Sequence, residues 1–321
     1  MGPRGTTALV LLGGGATLPL LAGTTVHGAT ILIVPIFLLT LVVAWGMGRV
    51  ADRVRFALPL LVGIGVAVAV FSIVTGILNG FSDEPYSTPA YAALGWGLYT
   101  HPVHFTYLQY GTSYVENSYD VYLPLLTFLQ VPGLDYRWVS LAAWGGSLYW
   151  LRRDPVAAGG FATPWIPLLA ANGQNDFVPL LALTVALAVP LSRGGTWAAE
   201  VVALALKQLA NVVVVLYHLA RREYLRAAAA VAITAALLLP FLWIDAGAVY
   251  CHVIVGDPGN TCVGHSWTFF VFKRNYWLYP TWVAVVFHRP LRSAFGRFRG
   301  WVAPGSPAPL APSGRAGERV A

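Results

Sequence analysis

Charge is what this sequence has least of. Only 10% of its 321 residues are Asp, Glu, Lys or Arg, against about a quarter in ordinary soluble domains. That scarcity excludes a conventional soluble fold and, with 57% hydrophobic residues, a disordered one. Cysteine is equally scarce: two residues cannot build a disulfide scaffold. No polar stretch is long enough to form a separate soluble domain. Lysine occurs only at Lys207 and Lys273. What the chain has instead is a mean hydropathy of +0.65, in apolar blocks close to the ~20 residues that cross a ~30 Å hydrocarbon core. The sequence pI near 9.5 does not point to nucleic acid, because the basic residues fall in short clusters between apolar blocks, as membrane orientation requires.

The apolar runs are Ala8–Thr25, Ala29–Gly48, Phe56–Asn79, Tyr136–Leu151, Val156–Ala171, Phe177–Leu191, Leu225–Ile244 and Asn275–His288. They predict an all-α, polytopic transmembrane bundle of about eight spans. Clusters Arg49/Arg53/Arg55, Arg152/Arg153, Arg221/Arg222/Arg226 and Arg289/Arg292/Arg297/Arg299 belong on the cytoplasmic side. Phe56–Tyr136 contains no Lys or Arg but five acids, which places its polar part outside. Both termini are then cytoplasmic and the chain is multi-pass, in a cell membrane. Three regions follow: an N-terminal transmembrane hairpin (1–55), a membrane core (56–288), and a basic, then disordered, tail (289–321). Met1–His27 has the outline of a signal peptide, but a second apolar block follows so closely that an uncleaved hairpin is expected.

Parity exposes one irregular element. Arg193 and Arg221 both belong inside, so Gly195–Leu219 cannot be a single span. Two half-helices of about twelve residues, meeting near Lys207 and Gln208, restore parity, each rising only ~18 Å. Such a re-entrant hairpin is tolerated where it lines a cavity or is buried in protein. A single span with Arg193 on the other side is the plainer alternative.

Gly80–Asp135 is dense in Tyr and broken by Pro89, Pro102, Pro124 and Pro132. It predicts interfacial helices near Pro89–Tyr99 and Ser118–Val131. Asp83 and Glu84 stand where a span meets this loop, which makes them functional candidates; their other reading is a solvated acidic pair holding the loop outside.

The order of features resembles one family. A long apolar helix ends in Asp83–Glu84 followed by Tyr86; a small-and-aromatic helix leads to the turn Gly97–Leu98–Tyr99–Thr100–His101–Pro102. A Tyr/Pro-rich segment, an Asn/Gln/Asp outer loop and Ala205–Leu206–Lys207–Gln208 at a hairpin tip follow. Over roughly Phe56–His288 this resembles the GT-C superfamily of membrane glycosyltransferases, in particular prokaryotic enzymes using polyprenyl-phosphate sugars. The family's frequent Asn-Pro-Tyr turn is replaced by Thr100–His101–Pro102–Val103.

The resemblance implies that Asp83 is the catalytic base, with Glu84 as second choice. A hydroxyl acceptor is a poor nucleophile until a carboxylate takes its proton; inverting attack on the donor expels a phosphate that needs no general acid. The phosphate needs cations on the outer side. Lys207, and Lys273 with Arg274, are candidates, against headgroup snorkelling for the latter two. Asn175 and Asp176, with Asn172 and Gln174, could bind sugar hydroxyls or simply form a turn. Glu116 and Asp120, four apart and on one face if helical, could assist a divalent cation or the acceptor. Tyr86, His101, His104 and Gln208 complete the expected substrate contacts, although a structural role suits the two histidines, which do not make a zinc site. Beyond that possible cation no cofactor is expected. Cys251 and Cys262 are expected to form a disulfide in an outer loop. The partners implied are a polyprenyl-phosphate sugar, a lipid, glycan or protein acceptor, and membrane lipids, without nucleic acid. A transporter or flippase for lipid-linked or anionic solutes, and a non-catalytic assembly subunit, are the alternatives.

Overall fold

A computed structural model describes residues 30–76, 94, 99–109, 112–118, 123–128, 135–254 and 278–288. The described elements are mostly helical: α1 (Thr30–Arg53), α2 (Ala57–Thr75), α3 (Pro124–Phe128), α4 (Tyr136–Leu151), α5 (Pro155–Phe161), α6 (Trp165–Ala171), α7 (Phe177–Ala188, its last turn π-helical), α8 (Arg193–Leu206), α9 (Gln208–Ala220), α10 (Tyr224–Val249) and α11 (Leu278–Val286). All lie in one compact unit, Met1–Val286. Two of them, α2 with 19 residues and α10 with 26, are long and apolar enough to cross a membrane. Helix α2 stops at Gly76, whose φ of 67° suits a residue without a Cβ.

Packing between α1 and α5 depends on small residues. A Cβ on Gly48 would collide with the Val156 carbonyl, and one on Gly159 with Ala51. Gly160 leaves room for Val285 of α11. Close backbone approach through small residues is how helices associate where lipid offers no hydrophobic drive. Two buried side-chain bonds tie the neighbouring helices: Ser140 Oγ donates to Gln174 O at 2.8 Å, and Trp144 Nε1 to Phe161 O at 2.9 Å.

These contacts define two ends. Helix α4 begins beside Gln174, just before α7 begins, and Gly146 meets Leu181 further along, so α4 and α7 run the same way. Leu151 and Ala188 therefore share an end. The C-terminus of α1 and the N-terminus of α5 join there through Gly48 and Gly159. The start of α8 follows α7, and Trp197 reaches Arg226 at the start of α10. Three expected basic clusters and Arg193 thus occupy one end, while the 172–176 turn occupies the other; the fourth cluster lies outside the described residues.

Three expectations are corrected. The run Val156–Ala171 is two seven-residue helices, α5 and α6, not one element. Pro164 disfavours helix at Thr163, whose hydroxyl donates back to Gly160 O at 2.6 Å. The all-α expectation holds for the core but not for the segment between α2 and α3, where β1 (Val103–Gln109) and β2 (Thr112–Ser118) form an antiparallel hairpin. Strand-favouring Val, Phe, Thr and Tyr fill both arms. Glu116 is therefore opposite Phe105 in a ladder, not on a helical face with Asp120. Of the expected interfacial helices, the described part of the second includes α3, while Pro89–Tyr99 lies outside the described residues apart from Leu94 and Tyr99. Tyr99 and Val103 pack with Leu123 against Leu238 and Phe241 of α10, so this loop rests on the bundle.

Candidate functional site

The segment expected to break does so at Lys207, which is extended (φ −156°, ψ 145°) between α8 and α9. The halves fold back on each other. Glu200 and His218 would stand about 27 Å apart along a straight helix, yet Glu200 Oε2 is 3.3 Å from His218 Nε2. Asn211 secures the break: its Nδ2 donates to Leu204 O at 2.9 Å and Lys207 O at 3.2 Å. Leu204 O is a carbonyl of the kind a helix C-terminus leaves without an intrahelical partner, while Lys207 O also accepts from Ala210 N and Asn211 N of α9. Thr234 Oγ1 of α10 in turn donates to Asn211 Oδ1.

At the hairpin tip Lys207 is 3% exposed, and its ammonium is 2.6 Å from Asp176 Oδ1 and 2.7 Å from Asn175 Oδ1. Asp176 and Asn175 are fully buried. Asp176 stands at the N-cap of α7 yet makes no capping bond; its carboxylate serves the lysine instead. A buried ammonium requires such a partner. Asp176 Oδ2 and the buried Gln174 Oε1 have no hydrogen-bond donor among the described residues.

The other expected residues are dispersed or undescribed. His101 is exposed, its Nδ1 2.8 Å from Thr100 Oγ1. His104 pairs with Asn117 in the β ladder, and Gln208 opens α9. Cys251 is buried and disulfide-bonded. Asp83, Glu84, Tyr86, Asp120, Cys262, Lys273 and Arg274 lie outside the described residues. Among the described residues no group of three or more His, Cys, Asp or Glu could hold a metal ion.

A second polar cluster closes the hairpin's base and was missed in the sequence. His218, fully buried, has Nδ1 2.8 Å from Glu223 Oε2 and Nε2 facing Glu200, itself 1% exposed. The Glu200 contact makes no hydrogen bond, whereas Glu223 also accepts from Arg221 Nε at 3.0 Å. The bonds from Arg221, then His218, hold the Glu223 carboxyl below the usual range. The signal was available: once Lys207 is taken as a tip, Glu200 and His218 fall on facing arms.

No known protein family, curated protein or solved structure matches this chain.

Proposed function

We propose that this chain is a multi-pass membrane glycosyltransferase. It sits in the cell membrane with both termini cytoplasmic and moves a hexose or pentose from a polyprenyl phosphate to a lipid, glycan or protein acceptor outside the cytoplasm. The observation that carries the reading is the Lys207 tip, buried against Asn175 and Asp176 at the end opposite the arginine clusters. A cation at the break of two half-helices suits a departing phosphate. Beside it, Gln174 Oε1 and Asp176 Oδ2 are acceptors that sugar hydroxyls would satisfy. In this mechanism Asp83 removes the acceptor hydroxyl's proton, the anomeric carbon is attacked opposite the phosphate with inversion, and Lys207, with Lys273 and Arg274, stabilises the anion released.

Radiolabelled polyprenyl-phosphate sugars in liposomes test the reading. Asp83→Asn is expected to lose ~10²–10⁴-fold in transfer at saturating donor, and Lys207→Met to weaken donor binding. Transfer at the wild-type rate by Asp83→Asn and Glu84→Gln alike would overturn this mechanism. A transporter for lipid-linked or anionic solutes is the second reading, favoured by the buried Glu200–His218 contact inside the hairpin, since ionisable residues in spans mark conduction pathways. It predicts that labelled donor crosses the vesicle wall without sugar transfer.

A further inference from the structure

The bundle's basic end carries nine arginines, in three clusters plus Arg193, against the carboxylates of Asp52, Asp154 and Glu223. Orientation by charge accounts for their side of the membrane, but not for their choice of side chain or their surroundings. None is a lysine. Four of the guanidiniums lie over aromatic rings: Arg49 over Trp45 at 5.2 Å, Arg152 over Tyr149 at 3.7 Å, Arg221 over Tyr217 at 5.4 Å and Arg226 over Trp197 at 5.4 Å. Trp45 and Tyr149 are half-exposed, at 50% and 56%. An arginine stacked in this way has its apolar faces covered and its N–H edges turned to bond an anion in pairs.

Internal anions are too few to occupy them. Only Arg221 and Arg226 have a carboxylate partner among the described residues, and both share Glu223. Asp154 is committed to the N-terminus of α5, accepting from Val156 N and Ala157 N at 3.2 Å. The other seven arginines form no ion pair with a described residue. Arg222 is the most telling. It is exposed, and it is the one described residue other than glycine with positive φ, 61°, at the turn that ends α9. Glycine is the ordinary occupant of such a position, so arginine stands there at a conformational cost that the fold does not repay.

We infer that this end is a binding surface for the phosphates of anionic phospholipids in the adjoining leaflet, with the half-exposed rings seated at headgroup level. The inference rests on the membrane-spanning part of the proposed function and is independent of glycosyl transfer. Its test uses the full chain in nanodiscs of phosphatidylcholine, with or without phosphatidylglycerol, and reads the Tm. Incorporation into both kinds of disc tests the spanning reading by itself. For the wild type, phosphatidylglycerol is expected to raise Tm by several degrees, because it binds the folded state, and added salt should shrink the gain. Arg222→Gly should raise Tm in pure phosphatidylcholine by about 1–2 °C by relieving the backbone, yet gain less from phosphatidylglycerol than the wild type does. Combining it with Arg53→Gln and Arg153→Gln should abolish most of the lipid response. Incorporated wild type whose Tm ignores phosphatidylglycerol would overturn the proposal. So would an Arg222→Gly protein and a triple variant that both keep the full wild-type gain.

Discussion

The two polar clusters of the α8–α9 hairpin share two chain segments but differ in charge balance. At the tip, one ammonium meets one carboxylate, with an amide oxygen to share its remaining bonding. At the base, one imidazole stands between two carboxylates, and the buried one, Glu200, has no hydrogen bond among the described residues. The tip sets one basic against one acidic side chain, with Asp176 Oδ2 and Gln174 Oε1 still without a donor among the described residues; the base sets one imidazole against two acidic side chains, with Arg221 and Arg226 on its exposed side. Burial alone therefore does not tell what a charged residue contributes, since its partner count does.

The largest expected effect breaks the balanced cluster. Asp176→Ala or Lys207→Ala leaves a buried charge without its counter-ion, and chemical denaturation should report a loss of about 3–5 kcal/mol. The paired Asp176→Leu/Lys207→Met protein should regain most of that stability. If the double variant is no more stable than either single one, the two side chains do not act as a pair.

The unbalanced cluster should respond far less. Glu200→Gln keeps the side chain's shape, and the carboxylate has no hydrogen bond among the described residues, so the same denaturation curves should move by less than about 1 kcal/mol in either direction. A loss as large as that of Asp176→Ala would show that Glu200 has a partner of its own and that the contrast between tip and base is wrong.

The smallest effect lies at the start of α4, beside the tip. Asp135 caps the helix through Arg137 N at 3.0 Å and pairs with the Arg137 guanidinium at 2.6 Å. Burial pushes its carboxyl up, but the hydrogen bonds and charge of Arg137 outweigh this and hold it below the usual range. A depressed carboxyl contributes stability above its unfolded value and loses it as pH falls through the folded one. Asn caps a helix as well as Asp, so Asp135→Asn loses only the partly exposed ion pair and should cost about 0.2–0.5 kcal/mol at neutral pH, and this difference from the wild type should fade in acid. A difference independent of pH would assign the effect to the cap geometry rather than the charge.

How far the sequence carried these features depended on the physics behind each. The break at Lys207 was legible because Arg193 and Arg221 demanded one side, a long-range constraint that charge alone conveys. That Lys207 needs a buried partner was legible too; that Asp176 supplies it follows from α7 and α8 lying side by side. The β1–β2 hairpin was not, since aromatic density suits an interfacial helix and a strand equally. The interruption at Thr163–Pro164 was passed over because hydropathy ignores backbone geometry, although the proline itself was in view. Glu200 and His218 were hidden by their separation of eighteen residues, which only folding at Lys207 abolishes.

The broken hairpin also bears on how the chain is made. Glu200, Lys207 and His218 are all buried, and buried ionisable side chains need partners. Their counter-charges lie on either side in the chain, Asp176 emerging from the ribosome before the hairpin and Glu223 after it. The tip can be neutralised as soon as Lys207 is synthesised, whereas the base must wait for the turn into α10.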